Sequence, residues 1–232
     1  YQLGYDTKAG KNWTVGGAVS YNEGKSGKTE LKNTAVGVYG TWADDKGQYI
    51  DLITKIGWLK NDFDVKAAGY QIADTMKTTG MSMSAEYGKR FENKAGSFLE
   101  PNAELTFGHI NGKNVNAKVV GGGTTLGVDQ DAFNSLVGRL GLRIGHKTAK
   151  SSVYAKVALA HEFAGDFDVT FSAPSEPTKK VSVGLKDTWG EFQVGGTTKL
   201  GKAGLLYANY QRSFAGDVKE KYRIDAGFRW SF

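Results

Sequence analysis

The sequence has no cysteine and only 3 prolines in its 232 residues. The absence of cysteine excludes a disulfide framework, thiol catalysis and cysteine-bound zinc or iron–sulfur centres. No stretch approaches the ~20 consecutive apolar residues of a membrane-spanning helix. A helical membrane protein is therefore excluded, whereas membrane β-strands, which require only ~10 residues of alternating polarity, remain possible.

The formal net charge is +6 at pH 7, but lysine and arginine are spread along the chain among 24 acidic residues. A nucleic-acid-binding protein would concentrate its basic residues in a patch or stripe. The histidines, His109, His146 and His161, are too scattered for a metal site of ordinary spacing. We therefore expect no nucleic-acid partner, no metal, no cofactor and no enzymatic activity.

Apolar and polar residues alternate with a period of two along the whole chain, and clusters of Gly, Asn, Asp and Lys separate the alternating segments. No helical pattern of useful length competes with this alternation. The sequence predicts an all-β protein of eleven strands, at residues 1–6, 12–22, 31–43, 48–60, 79–92, 97–109, 133–147, 151–163, 183–199, 203–214 and 222–232.

The connections between these strands alternate between short and long almost throughout. The short ones read TKAGK, ADDKG, NKAG, TAKS and LGKAG. In an antiparallel up-and-down meander, alternate connections lie at the same end, so one rim is trimmed and the other carries long loops. This asymmetry is typical of outer-membrane β-barrels, which have short periplasmic turns and longer outer loops.

Strand length and aromatic placement agree with a transmembrane barrel. Most of the predicted strands span roughly 11 to 17 residues, whereas ~5 to 6 residues are usual in soluble sheets. Trp13, Trp42 and Trp58 lie toward strand ends, where amphipathic rings would meet the membrane boundary. A soluble β-sandwich shows the same alternation with its apolar face inside, so periodicity alone does not identify the solvent.

The number of predicted strands is odd, although bacterial single-chain barrels have an even number. Strand 1–6 leads into a short turn, so it runs toward the periplasm. An upward strand should precede it. We therefore predict that the chain holds eleven strands of a twelve-stranded barrel and lacks the first; whether these eleven close as a barrel is left open.

The two faces of each strand differ in character. Strand 133–147 sends Leu136 and Leu140 to one face, and Arg139 and Arg143 to the other. The charged faces are expected to line a water-filled pore. The predicted pore-lining residues are Glu86, Arg90, Glu104, Arg139, Arg143, Lys156, Glu162, Glu191, Arg223, Asp225 and Arg229.

Several segments, in their order and spacing, resemble the translocator domain of bacterial autotransporters. They are YQLGYD, SAEYGKRF, FLEPNAELTFG, VGRLGLRIG, ALAHEF, WGEFQVGG and the terminal GFRWSF. The resemblance implies a monomeric twelve-stranded barrel in the bacterial outer membrane, in contact with its lipid. It also implies an upstream helix that threads the pore and an N-terminal passenger that the barrel delivers to the cell surface.

The resemblance further implies a sorting signal in the last strand, which the outer-membrane barrel assembly machinery reads. Asp225, Gly227, Trp230 and Phe232 match that pattern. The expected function is secretion or anchoring of the passenger, by a domain that is not an enzyme. The alternatives are a passive porin-like channel and an outer-membrane adhesin built from the loops. The passenger's identity, its cleavage and the role of residues 110–132 stay open.

Overall fold

The computed structural model describes residues 1–67, 70–173, 176–217 and 219–231. The regular secondary structure of these residues is all β, and no helix among them is long and apolar enough to cross a membrane. The described strands are β1 Gln2–Ala9, β2 Trp13–Ser26, β3 Thr29–Ala43, β4 Gln48–Ala67, β5 Tyr70–Lys89, β6 Phe91–Glu92, β7 Ser97–Ile110, β8 Lys113–Val119, β9 Thr125–Gln130, β10 Phe133–Lys147, β11 Ser151–Glu162, β12 Asp166–Ser172, β13 Lys179–Gly184, β14 Thr188–Leu200, β15 Gly204–Phe214 and β16 Arg223–Trp230.

Eleven of these strands form one antiparallel meander in the order β1-β2-β3-β4-β5-β7-β10-β11-β14-β15-β16. The prediction of eleven strands is therefore confirmed, and β10 has the predicted bounds. The sheet curls so that its two end strands, β1 and β16, approach each other. Arg229 in β16 donates a hydrogen bond to Asp6 in β1. Among the described residues, no backbone ladder joins β1 to β16.

The short connections lie together at one rim, which we call the short-turn rim; the opposite end is the long-loop rim. Four of the short turns contain a glycine with positive φ: Gly10 at 76°, Gly47 at 83°, Gly96 at 88° and Gly201 at 66°. Residues with a Cβ rarely adopt this conformation. The glycines therefore allow the tight reversals that keep successive strands in register.

The long connections are not simple loops, and the prediction was wrong in this respect. Residues 61–78 continue β4 and β5, which pair from Gln48↔Lys89 to Ala67↔Tyr70. The connection at 110–132 contains β8 and β9, and β9 pairs with β12 of the next long connection. Residues 183–184 belong to β13. β9 and β12 pair across two different connections, which local alternation does not reveal, and β8 and β13 extend these two strands as hairpins.

A buried apolar cluster holds these outer hairpins together. Its core consists of Ile72, Ala117, Leu126 and Val128, which come from β5, β8 and β9. Val119 of β8 also pairs in register with Ile72 of β5. The segment 110–132 is therefore an extension of the main sheet with its own small core.

The outer face of the curled sheet keeps large apolar side chains exposed. Leu140 is 67% exposed, Val38 65% and Val157 53%. A soluble β-sandwich would bury these side chains between its sheets. An apolar surface of this extent is typical of a face that contacts lipid or another protein.

Aromatic rings cover glycines on neighbouring strands. Tyr207 in β15 lies directly opposite Gly227 in β16, and a Cβ at Gly227 would overlap the ring and hydroxyl of Tyr207. Tyr49 covers Gly88 in the same way, and Tyr39 covers Gly16. Because each ring fits only where the neighbouring strand has no side chain, these pairs favour one register.

We expect Gly227→Ala to destabilise the folded domain, because the new methyl group would push Tyr207 out of its position. Overpacking of this kind costs about 1–3 kcal/mol. The measurement is the temperature at which the folded band of the full-length protein converts to the unfolded band on a denaturing gel.

Gly17→Ala is the matched control for this substitution. A Cβ at Gly17 would meet only the carbonyl oxygen of Gly37, at an ordinary 3.5 Å. Alanine should be neutral or slightly stabilising there, since glycine inside a strand loses more conformational entropy on folding. Equal conversion temperatures for the two variants would contradict the proposed fit of ring to glycine.

Candidate functional site: the charged inner face

The curl of the sheet gathers charged side chains from several strands around one interior cavity of about 420 Å³. It extends from Ile53 of β4 to Gln211 of β15. Six of the predicted pore residues line it: Glu86, Glu104, Arg139, Arg143, Lys156 and Glu191. A second cavity of about 350 Å³, toward the long-loop rim, is lined by Arg139, Glu162, Glu191 and Arg223 among others.

Arg139 links two carboxylates on either side of β10. Its Nη1 donates to Glu104 Oε1 of β7 at 3.1 Å, and its Nε donates to Glu191 Oε1 of β14 at 3.2 Å. The indole Nε1 of Trp189 donates to the same Glu191 oxygen at 2.8 Å. Both carboxylates are partly exposed, so this group is a solvated ion-pair network rather than a sealed one.

Glu100 is the most deeply buried charge among the described residues, and the predicted pore residues did not include it. Only 1% of it is exposed. Its carboxylate accepts hydrogen bonds from Arg90 Nε at 2.6 Å and from Arg143 Nη1 at 2.7 Å. Glu100 shares the inner face of β7 with Glu104, so the alternation that identified Glu104 could also have identified Glu100.

Tyr49 joins this group to a second carboxylate. Its hydroxyl donates to Glu86 Oε1 at 2.6 Å and lies 3.2 Å from Glu100 Oε1. Asn102 Nδ2 also donates to Glu86 Oε1, at 2.7 Å. Hydrogen bonds to charged partners are stronger than neutral ones, so the network fixes the short-turn half of the interior.

Glu162 lies on the inner face but has a different role from a free pore charge. It is 6% exposed, and its carboxylate accepts from Ser135 Oγ at 2.5 Å, from Leu136 N at 2.6 Å and from Ala164 N at 3.0 Å. These bonds join the end of β11 to the start of β10. Glu162 therefore fixes the long-loop rim.

The remaining predicted pore residues lie on β16. Arg223 Nε donates to Asp225 Oδ2 at 3.0 Å, and both side chains are about half exposed. Arg229 reaches Asp6, which also accepts from the Tyr39 hydroxyl at 3.1 Å. Arg229 thus contacts β1 from the opposite end of the sheet.

The residues of the predicted sorting signal divide between the two faces of β16. Asp225 faces inward, and Gly227 lies under Tyr207. Trp230 is 59% exposed on the outer face, with its ring centroid 5.8 Å from that of Phe228. Phe232 lies outside the described residues.

An ion pair joins the two strands of the β12–β13 hairpin, outside the membrane-spanning strands. Lys180 Nζ lies 2.5 Å from Asp168 Oδ2. The hydrogen bond from Lys180, together with one from Ser182, lowers the pKa of Asp168, so the pair stays charged at neutral pH.

The histidines are far apart and serve local hydrogen bonds. His109 Nδ1 lies 2.8 Å from Asn134 Oδ1, and His161 Nδ1 lies 2.7 Å from Thr188 Oγ1. In the part of the chain that the structure describes, no three His, Asp or Glu side chains are grouped to hold a metal ion.

We expect Glu100→Gln to lower stability more than Glu104→Gln does. Removing the Glu100 charge leaves Arg90 and Arg143 without their buried partner, and breaking a buried pair costs about 3–5 kcal/mol. The Glu104 pair is partly solvated and contributes about 1 kcal/mol or less. Urea titration of the full-length protein in lipid vesicles measures both, and an equal or larger loss for Glu104→Gln would contradict this ranking.

The sequence is similar to that of known autotransporters. The pertactin autotransporter of Bordetella parapertussis is 30% identical over 246 residues, covering 100% of this chain and 26% of the relative. The BrkA autotransporter of Bordetella pertussis is 27% identical over 247 residues, covering 100% of this chain and 23% of the relative. The chain therefore spans about a quarter of the length of these relatives.

Solved structures show the same fold. The crystal structure of the beta domain of the Bordetella autotransporter BrkA matches with a TM-score of 0.74 and 25% identity, covering 100% of this chain and 89% of that one. The translocator domain of the autotransporter NalP from Neisseria meningitidis matches with a TM-score of 0.71 at 14% identity, covering 98% of this chain and 77% of that one. At that identity the second match bears on the fold alone.

The sequence model of the family described as the autotransporter beta-domain matches residues 1–211. The match agrees with the meander, the apolar outer face and the charged interior. The chain therefore belongs to the autotransporter beta-domain family, and it is an outer-membrane β-barrel domain.

Proposed function

We propose that this domain is the translocator of an autotransporter, which secretes an N-terminal passenger or anchors it at the cell surface. The observation that carries the proposal is a charged interior inside a barrel whose outer face is apolar. Arg139, Arg143 and Lys156 stand there beside Glu86, Glu104 and Glu191. A wall of mixed sign keeps the interior wet and suits an unfolded chain of any net charge.

The pore residues contact the passing chain in this proposal. Arg139 and Arg143 are only partly exposed, but both line the central cavity. Guanidinium groups donate several hydrogen bonds in a fixed geometry, and backbone carbonyl groups of an extended chain are acceptors. The interior would therefore hold a polypeptide by many weak contacts that exchange as the chain moves.

Among the described residues no backbone ladder joins β1 to β16, and this supports a further strand between them. In lipid, every backbone N–H and C=O group requires a partner within the protein. We propose that a segment upstream of β1 supplies this twelfth strand, preceded by a helix inside the pore. The contact of Arg229 with Asp6 lies on the inner, pore-facing side of the position proposed for the twelfth strand.

The last strand serves as the assembly signal in this proposal, with Asp225, Gly227, Trp230 and Phe232 as its residues. An unpaired strand edge can add to the sheet of another protein through backbone hydrogen bonds, while side chains supply selectivity. β16 has its outer aromatic pair, Phe228 and Trp230, at the short-turn rim. The partner would be the outer-membrane assembly machinery, and the assembled barrel would act as a monomer.

We expect Arg139→Gln with Arg143→Gln to reduce passenger display several-fold for each folded barrel, because the moving chain loses guanidinium contacts. The measurement is protease accessibility of an N-terminal reporter on intact cells, divided by the folded barrel on an unboiled gel. This division separates lost transport from lost stability.

The charge-retaining variant, Arg139→Lys with Arg143→Lys, should recover part of the display. The exposed pair Lys11→Gln with Lys46→Gln, at the short-turn rim, should leave it unchanged. Unchanged display for the Arg-to-Gln variant would contradict the role of these side chains. If the reporter of the unchanged protein never reaches the surface although the barrel folds, the translocator hypothesis is rejected in favour of a channel or an adhesin.

Deletion of Phe232 should lower the amount of folded barrel in outer membranes, since the signal loses its terminal aromatic contact. Ser231→Ala, which changes a neighbouring polar side chain and keeps the aromatic pattern, is the control. Folded barrel is quantified in purified outer membranes by the band that shifts on boiling. Equal amounts for both variants would mean that the terminal Phe is not read during assembly.

A further inference from the structure

Three lysines lie side by side on the outer face of the barrel. Lys32 of β3 pairs in register with Lys60 of β4, and Lys60 pairs with Lys77 of β5. Neighbouring strands are about 4.8 Å apart, so the lysines form a short row, which we call the lysine row. Like charges directly opposite each other destabilise a sheet, so an anion bound beside the three lysines would stabilise this arrangement.

The register fixes the height of the lysine row against the membrane. Two residues toward the short-turn rim, a row of aromatic and threonine residues follows: Tyr21, Thr34, Trp58 and Thr79. Two residues further lies an exposed apolar row of Val19, Val36, Ile56 and Met81. Amphipathic rings mark the membrane boundary, so the lysines lie about 6.6 Å further along the strands, at the level of lipid headgroups.

Carboxylates hold two of the lysines from the solvent side. Lys32 Nζ lies 3.4 Å from Glu30 Oε1, and Lys60 Nζ lies 2.5 Å from Asp62 Oδ2. Both carboxylates belong to the next row outward, where Lys25 also contacts Glu30 at 3.2 Å. The acidic groups therefore face water, and the lysine row is next to the membrane.

The ammonium groups of the three lysines remain accessible to a further anion. The side chains of Lys32 and Lys60 are 35% and 41% exposed in spite of their ion pairs. Lys77 is exposed, and no ion pair of Lys77 occurs among the described residues. Glu23, opposite Lys32 in β2, is the one acidic member of the same row, at the end away from Lys77.

We propose that the lysine row binds the phosphate group of an anionic lipid in the outer leaflet of the membrane. A lipid phosphate reaches the row from the membrane side, just beyond the aromatic level of Trp58. A dissolved phosphate must approach past Glu30 and Asp62, which repel it. The site therefore selects a membrane-bound phosphate, and adjacent lysines share its charge.

The test uses full-length protein extracted from outer membranes in a non-ionic detergent. The probe is diphosphorylated lipid A, added in mixed micelles, and binding is read from retained lipid by native mass spectrometry. We expect the variant Lys32→Gln, Lys60→Gln, Lys77→Gln to bind much more weakly, by about fivefold for each lysine near an anionic surface. Inorganic phosphate should not compete.

The matched control replaces three exposed lysines of the short-turn rim, as Lys46→Gln, Lys94→Gln and Lys202→Gln, and should bind as the unchanged protein does. If the triple Gln variant of the row does not fold, Lys77→Gln alone keeps the ion pairs of the other two lysines and should show the single-lysine loss. Lys32→Arg, Lys60→Arg, Lys77→Arg should retain binding. Equal binding by Lys77→Gln and the unchanged protein, or competition by inorganic phosphate, would overturn the proposal.

Discussion

Backbone hydrogen bonding between neighbouring strands is the interaction on which the rest of this structure depends. A chain that crosses a bilayer must satisfy its N–H and C=O groups within the protein, and the antiparallel ladders from β1 to β16 do so for ten successive strand pairs. The ladders fix the register, and the register determines which side chains meet. The outer apolar face, the inner ion pairs and the lysine row all follow from it.

The division between faces is sharp because the side-chain period of a strand is two. Leu140 faces outward and its neighbour Arg139 bonds to two interior carboxylates. The interior is held by polar contacts of unequal depth, from buried Glu100 to the solvated pair of Arg223 and Asp225. Buried charge thus organises the short-turn half, while the hairpins of the long-loop half enclose a small apolar core.

The sequence predicted the eleven strands of the meander because alternation and turn glycines are local signals. It did not predict β9 and β12, which pair from connections that are far apart along the chain, or β8 and β13, which pair with them as hairpins. Alternation also placed Glu104 and Arg139 on one face. Their pairing, and the pairing of Glu100 with Arg143, depends on cross-strand register and on the curl of the sheet, which no single strand encodes.

The central claim is that one face of each long strand meets lipid and the other meets water. Because the chain has no cysteine, single Phe192→Cys and Gln193→Cys variants can carry a fluorescent label at neighbouring positions of β14, where Phe192 is 38% exposed and Gln193 lines the interior cavity. In reconstituted vesicles, a quencher dissolved in the lipid should quench the label at 192, and a water-soluble quencher should quench the label at 193. Equal or reversed quenching at the two positions would contradict the account.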